Sequence, residues 1–304
     1  MVLMNEMIPK FLTGLVIILF SCTSIYRNNE NITGYNFSNP SLIYELPDTL
    51  REVSGLTLID SSTFACIQDE NGILFIYDIV NNSIRNQYPF HIDGDYEGIT
   101  KVDSVLFILR SDGTLFEINL FQLASPQLKS YVTGIPANNN EGLCYDRVNN
   151  RLLIACKGNI GKGEAFKDRR AIYGFDLRTK TLSDQPVFDF DIEVVKEFAV
   201  KNKIDLPSKV KKKKGEKIAE PFIKFRTSAI GIHPKTKDLF LLSASDFLLF
   251  IFDHKGGIKH MEQLNPVKFN KAEGITFYEN GDMLITNEAQ DKKPTVLKFN
   301  YKFR

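Results

Sequence analysis

Residues 96–120 read YEGITKVDSVLFILRSDGTLFEINL, and this stretch carries the pattern that decides the fold. β-branched and aromatic residues form three runs, EGITKV, VLFILR and LFEINL, separated by Asp-Ser and by Ser-Asp-Gly-Thr. Runs of this composition bounded by Gly, Asp, Asn and Ser are typical of short strands joined by tight turns. The stretch therefore predicts three consecutive strands.

The same pattern occurs five times along the chain. The small residues that open the copies are separated by 43, 44, 87 and 45 residues, and they are Gly55, Gly98, Gly142, Ala229 and Gly274. A period of roughly 40–45 residues with several strands per repeat is typical of a β-propeller, in which each repeat forms one blade. We predict an all-β protein with a single β-propeller built from four-stranded antiparallel blades.

The 87-residue step leaves two blade numbers open. Read against a period of about 43 residues, about 11 extra residues lie inside the third copy and about 30 lie after it. Neither piece contains the motif, which favours five blades with two insertions, and six blades is the alternative. The second insertion, about 191–217, contains the amphipathic stretch IEVVKEFAVKNK, which predicts a short helix. It ends in KVKKKKGEK (209–217), interpreted either as a solvated loop or as a contact for anionic lipid headgroups or phosphorylated glycans.

The N-terminal part of the domain is predicted to close the ring. The last copy has only three strands, whereas SLIYEL (41–46) is a strand-like run that precedes the first copy. If this run adds the fourth strand to blade five, the sheet edges that invite aggregation disappear. We therefore place the propeller domain at residues 41–304.

The beginning of the chain predicts export and lipidation. The apolar run FLTGLVIILF (11–20) follows Lys10 and is too short to span a membrane, as in a signal peptide. The sequence Leu19-Phe20-Ser21-Cys22 that follows resembles a bacterial lipobox. We predict a lipoprotein signal peptide at 1–21, lipidation at Cys22 and a polar tether at 22–40. The protein would be lipid-anchored in the cell envelope, at the outer membrane, either facing the periplasm or exposed at the surface.

Composition limits the partners. The chain has 304 residues, 43% hydrophobic and 25% charged, with a formal net charge of +1. This composition is globular and gives no overall positive field for nucleic acid, and we expect a monomer. Cys66, Cys144 and Cys156 are expected to be buried free thiols. In a hairpin turning at Asn149-Asn150, Cys144 would lie opposite Ala155, so it would point away from Cys156.

The residues just before the opening small residues predict a ring of side chains. They are Ser54, Glu97, Glu141, Ser228 and Glu273. The first strand of each propeller blade lines the central tunnel, so these residues would meet at one mouth. Glu97, Glu141 and Glu273 are candidate metal ligands, because hard carboxylate oxygens suit Ca²⁺ or Mg²⁺. Each glutamate could instead accept backbone N–H groups at its strand start. Strand ends and neighbouring positions add candidate ligand-binding residues: Asp69, Arg110, Lys157, Arg226 and Glu288.

Several short stretches resemble the SdiA-regulated family of bacterial envelope propellers. They are EVSGL (52–56), QDENG (68–72), DYEGI (95–99), NEGL (140–143), SAI (228–230), AEGI (272–275) and NE (287–288). The resemblance covers about residues 42–303. It implies a propeller fold and a periplasmic or outer-membrane setting. It implies little about chemistry, because one fold supports many functions.

Two functional hypotheses follow. The first is a non-catalytic binding or scaffold module whose tunnel face binds a small molecule, a glycan or an envelope protein. The alternative is a divalent-metal-dependent hydrolase of a lactone or phosphoester, with the carboxylates of the tunnel as metal ligands. No nucleophile–base motif is present in the sequence, and the four histidines lack the paired spacing of a zinc site. Whether the protein is an enzyme stays open at this level.

Overall fold

The structure is a computed structural model that describes residues 33–302 except 126, 138, 214 and 215. The predicted signal peptide and Cys22 lie outside the described residues. The described chain forms six antiparallel sheets, of which five are the blades of one β-propeller and the sixth is a two-stranded hairpin. The prediction of a single five-bladed propeller is confirmed, and the six-bladed alternative is wrong.

The strands follow the chain order blade by blade. Strand β1 (Leu42–Glu45) comes first. Blade one contains β2 (Val53–Leu58), β3 (Thr63–Gln68), β4 (Ile73–Asp78) and β5 (Ser83–Pro89). Blade two contains β6 (Tyr96–Val102), β7 (Val105–Arg110), β8 (Thr114–Asn119) and β9 (Lys129–Val132). Blade three contains β10 (Asn140–Asp146), β11 (Arg151–Cys156), β12 (Arg169–Asp176) and β13 (Thr181–Leu182), and β14 (Phe188–Asp191) also pairs with β12.

The insertion and the last two blades complete the order. The insertion contains helix α1 (Ile192–Lys201) and the hairpin of β15 (Ser208–Lys213) and β16 (Glu216–Pro221). Blade four contains β17 (Ala229–Ile232), β18 (Leu239–Ser243), β19 (Leu248–Phe252) and β20 (Ile258–Gln263). Blade five contains β21 (Ala272–Phe277), β22 (Met283–Asn287) and β23 (Thr295–Phe299). Short 3₁₀ turns lie at Asp48–Leu50, Leu120–Gln122, Glu164–Phe166 and Ala244–Asp246.

Strand β1 closes the ring as predicted. It pairs antiparallel with β23, from Leu42 opposite Lys298 to Glu45 opposite Thr295. Blade five is therefore built from both ends of the domain. The pairing gives β23 a neighbour on its outer side, so that its edge is not left open for another chain.

Five hydrophobic clusters hold the blades together, one at each interface between neighbouring blades. The inner strands also touch their neighbours around the tunnel. The opening glycines are required there, because a Cβ on Gly98 would lie 2.7 Å from the Leu143 Cβ. A Cβ on Gly274 would lie 2.7 Å from the Ser54 carbonyl oxygen. The repeated small residue thus reflects close approach between neighbouring inner strands.

The helix of the insertion is confirmed. The Asp191 side chain caps α1 by accepting the N–H of Glu193 at 2.9 Å. Val195 and Ala199 are buried against blades three and four. Within the described part of the chain, no helix has the length and hydrophobicity needed to cross a membrane.

The Lys-rich segment differs from the predicted solvated loop. Residues 208–213 and 216–221 form the β15–β16 hairpin, in which Val210 lies opposite Ala219 and Lys209 lies opposite Glu220. Opposite charges across an antiparallel pair favour strand pairing. The positive charge of the run does not by itself indicate that residues 216–221 form its partner strand.

The tether also differs from the prediction for 22–40. Tyr35 and Phe37 are buried, with 2% and 5% of their surfaces exposed, and they pack between blades four and five. The Tyr35 hydroxyl donates to the Gly281 carbonyl at 2.5 Å. Burial of two aromatic side chains favours packing of this otherwise polar segment onto the propeller. Residues 33–39 therefore belong to the folded domain.

The three described cysteines are buried free thiols, as predicted. Cys144 and Cys156 lie in different interblade clusters, so their side chains point to opposite faces of blade three. The predicted register is wrong by two residues, since Cys144 lies opposite Leu153 and not opposite Ala155. The hairpin turns earlier because the Asp146 side chain accepts the N–H of Asn149 within the turn.

Candidate functional site

Three glutamates enter the tunnel at β-bulges. The pairing of the inner strand shifts by one residue at the start of β2, β6, β10 and β21. In the last three of these strands the residues at the shift are Glu97, Glu141 and Glu273. A bulge bends a strand and redirects a side chain. Blade four has no such shift, and its Ser228 hydroxyl donates instead to the Ala272 carbonyl at 2.6 Å.

These glutamates are close enough to affect one another's protonation. Glu141 and Glu273 are buried, with 2% and 7% of their surfaces exposed. Burial is the main reason that the pKa of Glu97 rises to about 9 and that of Glu273 to about 8. The charge of Glu141 contributes to both shifts. The structure therefore brings together the three side chains that the sequence nominates, at what we call the carboxylate mouth: the tunnel end formed by Glu52, Asp69, Glu97, Glu141, Glu273 and Glu288.

Two lysines partly balance the negative charge. Lys157, which follows β11, forms an ion pair with Glu141. Lys271, which precedes β21, forms an ion pair with Glu288, and its Nζ lies 3.8 Å from Glu273 Oε1. Burial disfavours the charged form of Lys157, but Glu141 outweighs this effect and the Lys157 pKa is raised. Both ammonium groups are therefore charged at neutral pH.

Two carboxylate oxygens of the site, Asp69 Oδ1 and Glu141 Oε2, are buried without a hydrogen-bond partner among the described residues. Glu141 Oε1 contacts Lys157, whereas Oε2 is buried and has no hydrogen-bond partner among the described residues. Glu141 therefore does not act simply as an acceptor for backbone N–H groups at a strand start. Burial of this carboxyl raises its pKa, against the opposing effect of Lys157. A buried carboxylate oxygen without a donor is costly, and a bound cation or proton would satisfy it.

A second group of carboxylates adjoins the first. Oxygen atoms of Glu52, Asp69 and Glu288 lie within 4.8 Å of one another. This spacing would allow the three carboxylates of the described chain to contact one metal ion. Glu97, Glu141 and Glu273 are farther apart than this. The pKa of Glu288 is raised by burial and then by a hydrogen bond with Glu52. Glu52 was not among the predicted site residues, although it lies three residues before an opening glycine, as Lys271 does.

Two predicted residues have other partners. Arg110 forms a bidentate pair with Asp112, with Nε 3.1 Å from Oδ1 and Nη2 2.7 Å from Oδ2. Arg226 is exposed, and its backbone N–H donates to the Ser243 hydroxyl. The positive charges at the carboxylate mouth are therefore Lys157 and Lys271, of which only Lys157 was among the predicted site residues.

The carboxyl groups at the carboxylate mouth outnumber the lysines that pair with them, and this excess determines the chemistry of the site. Six carboxyl groups at this mouth contact or influence one another, and two lysines pair with them. A negative excess in a buried site is relieved either by protonation or by a bound cation. Carboxyl groups with a pKa near neutrality can also transfer protons to a bound molecule.

No family model matches the chain, and no curated protein matches it by sequence. Membership of the SdiA-regulated family therefore stays a prediction. Among solved structures, Myxococcus xanthus glutaminyl cyclase aligns with a TM-score of 0.56 and 12% identity, covering 86% of this chain and 95% of that one. A luciferin-regenerating enzyme aligns with a TM-score of 0.46 and 9% identity, covering 86% and 95%. A Bacteroides caccae protein of unknown function has a TM-score of 0.43 and 10% identity, covering 74% and 65%. The first similarity supports the fold alone.

Proposed function

We propose that the protein is a binding module of the cell envelope whose carboxylate mouth binds a hard divalent cation, Ca²⁺ or Mg²⁺. The observation that carries the proposal is the trio of Glu52, Asp69 and Glu288, whose oxygens lie within 4.8 Å of one another. Asp69 Oδ1 in this trio is buried and lacks a hydrogen-bond donor among the described residues, as does the nearby Glu141 Oε2. Oxygen-rich carboxylate clusters are the ligand sets that these ions prefer. Glu52, Asp69 and Glu288 have the spacing needed to supply the ligands. The cation would help to hold a small molecule, glycan or envelope protein at the tunnel face.

Cation binding should release protons. At neutral pH the raised pKa values keep a fraction of the carboxyl groups at the carboxylate mouth protonated. Only ionised carboxylates bind the metal well, so binding must compete with protons. Affinity is therefore expected to increase as the pH rises from about 6 to about 9.

Calorimetric titration of the metal-stripped domain with CaCl₂ and MgCl₂ tests the proposal directly. We expect a saturable heat for the wild type, a raised melting temperature and loss of both in Glu288→Gln. The matched control is Glu117→Gln, since Glu117 is an ion-paired glutamate on the outer part of blade two. A wild type without saturable heat, or equal heats in the two variants, would refute the cation site.

A metal-dependent hydrolase is the second candidate, favoured by one further observation. The pKa of Glu97 lies near the range in which a carboxyl group can act as a general acid or base. A panel of a lactone and a phosphomonoester tests this candidate. Turnover in the wild type that is lost in Glu97→Gln supports an enzyme, whereas no turnover with intact cation binding supports the non-catalytic module.

The envelope location is part of the same proposal and has its own test. It is supported by the lipobox-like Leu19-Phe20-Ser21-Cys22 after a short apolar run and by the resemblance to the SdiA-regulated family. Cys22→Ser should move the protein from the membrane fraction to the soluble fraction. Unchanged fractionation together with retention of the apolar run in the mature protein would reject lipidation.

A further inference from the structure

The opposite end of the tunnel contains a cavity of about 1270 Å³. It lies where the inner strands β2, β6, β10, β17 and β21 end, and all five blades contribute to its lining. We call this end the cavity mouth. Its volume is sufficient for a small organic ligand, since such pockets usually measure about 300–1,000 Å³.

Polar and apolar side chains contribute about equally to the walls of the cavity, and the apolar ones follow the inner strands. Leu56, Ile99, Leu143 and Ile275, each one position after an opening glycine, lie deepest along the strands. Farther along the strands, partly exposed side chains line the space: Leu58, Tyr145, Ile232 and Phe277. Apolar side chains that stay incompletely covered inside a concave site are typical of a ligand pocket.

One charge inside this lining has no counter-charge. Lys101 is half-buried on β6, and no ion pair of it with a described carboxylate occurs. The acidic residues nearby have other partners or lie at the exposed rim. Asp146 pairs with Arg151 at 2.9 Å, and Glu279 pairs with Arg147 at 3.5 Å.

The remaining charged side chains of the lining are exposed at its rim, and they include both acidic and basic residues. Asp60 accepts the N–H and the hydroxyl of Ser62, and Asp103 lies two residues beyond Lys101. Lys237 and Lys255 add positive charge. The half-buried Lys101 is therefore the cation best placed to meet an anion beside the apolar side chains of the lining.

We propose that the cavity binds an amphipathic small molecule that carries a carboxylate. The apolar body would pack against Leu58, Ile232 and Phe277, and the carboxylate would pair with the Lys101 ammonium. A charge-assisted hydrogen bond in a partly desolvated site is stronger than one in water. This site is separate from the carboxylate mouth, which lies on the other side of the opening glycines along each inner strand.

Calorimetric titration with decanoate and with decan-1-ol tests the proposal. We expect decanoate to bind the wild type saturably with one site, and decan-1-ol to bind about tenfold more weakly because it lacks the charge. Lys101→Met should reduce decanoate affinity about tenfold, and Lys101→Arg should keep it. The control Lys235→Met removes an exposed lysine outside the lining and should have no effect.

A cavity-filling variant makes the test independent of charge. Thr276→Trp places a large side chain in the lining and should abolish binding of both ligands. Absence of saturable decanoate binding, or equal affinities in Lys101→Met and Lys235→Met, would overturn the proposal. Glu288→Gln should leave decanoate binding unchanged, so failure here and failure of the cation site are distinguishable.

Discussion

The two mouths of the tunnel are formed by the same five inner strands but differ in construction. At the carboxylate mouth four of the five strands begin with bulges, and the buried side chains are ionisable. At the cavity mouth the same strands end in regular pairing, and apolar side chains surround an open space. One blade repeat thus places ionisable side chains at one end and an open cavity with apolar side chains at the other. The glycines between the two ends allow the strands to approach.

The largest expected loss of stability comes from removing an aromatic side chain that packs beside the cavity mouth. Tyr35 packs on Tyr301 and Phe240, close to the lining residue Phe277. Tyr35→Ala should lower the free energy of unfolding by about 3–4 kcal/mol, as for other large aromatic deletions. Denaturant unfolding measures this, and Tyr44→Ala on the outer strand β1 is the control. Hydrogen exchange should accelerate in β21 near Phe277 more than in β10 near Glu141. Equal acceleration of exchange in the two strands would contradict the view that Tyr35 stabilises the cavity mouth in particular.

A change at the glycines should disturb both mouths together. A Cβ on Gly274 would lie 2.3 Å from the Thr286 Oγ1 and 2.7 Å from the Ser54 carbonyl oxygen. Gly274→Ala is therefore expected to cost about 2–3 kcal/mol through overpacking. Thermal unfolding measures the loss, and calorimetry should show weaker binding of Ca²⁺ and of decanoate. An unchanged melting temperature would mean that the neighbouring inner strands move apart to accommodate the added methyl group with little loss of free energy.

The carboxylate mouth should make stability depend on pH. The pKa values of Glu97 and Glu273 lie above the ordinary value of 4.5, so the folded state binds more protons than the unfolded state at neutral pH. Their stabilising contribution is complete below about pH 4.5 and is lost as the pH rises through 8 to 9. The melting temperature should therefore fall between pH 5 and pH 9. Glu273→Gln should flatten this slope, whereas Lys101→Met at the cavity mouth should not.

The smallest effect is expected from the ion pair at the cavity rim. Arg147 and Glu279 are 75% and 84% exposed, and water screens their attraction. Arg147→Met should change the free energy of unfolding by less than about 0.5 kcal/mol. The comparable pair at the carboxylate mouth is buried, so Lys157→Met should be clearly more destabilising in the same denaturant titration. Equal effects would show that burial does not separate the two mouths.

The sequence predicts one mouth much better than the other. Glu97, Glu141 and Glu273 are visible because each precedes a glycine in a repeated motif, and repetition identifies equivalent positions. Lys101 is not visible in this way, because no lysine occupies the equivalent position in the other blades. Lys101 is a candidate ligand-binding residue because it is half-buried and has no counter-charge in the described part of the chain. This environment arises only when all five blades have packed around the cavity. The partners of Lys271 and Glu52 could not be predicted for a related reason, since they are distant in the chain.

The N-terminal segment shows a different limit. The many Asn and Ser residues around Tyr35 and Phe37 predict a polar linker. The space between blades four and five that accepts the two rings exists only after both blades have formed. Composition averages over such a segment, whereas burial depends on single residues.

The pairing of β1 with β23 also has a kinetic consequence. The Ser41 hydroxyl donates to the Lys298 carbonyl across 257 residues, so the last blade contains contacts of very large sequence separation. Closing so long a loop costs chain entropy before any contact repays it, and such topologies fold slowly. Four blades can stack before the circle is complete, and during that interval the edge of β23 is unprotected. A circular permutant that joined β1 to β23 by a short linker and opened the chain in an outer turn would remove this delay, while both mouths kept their residues.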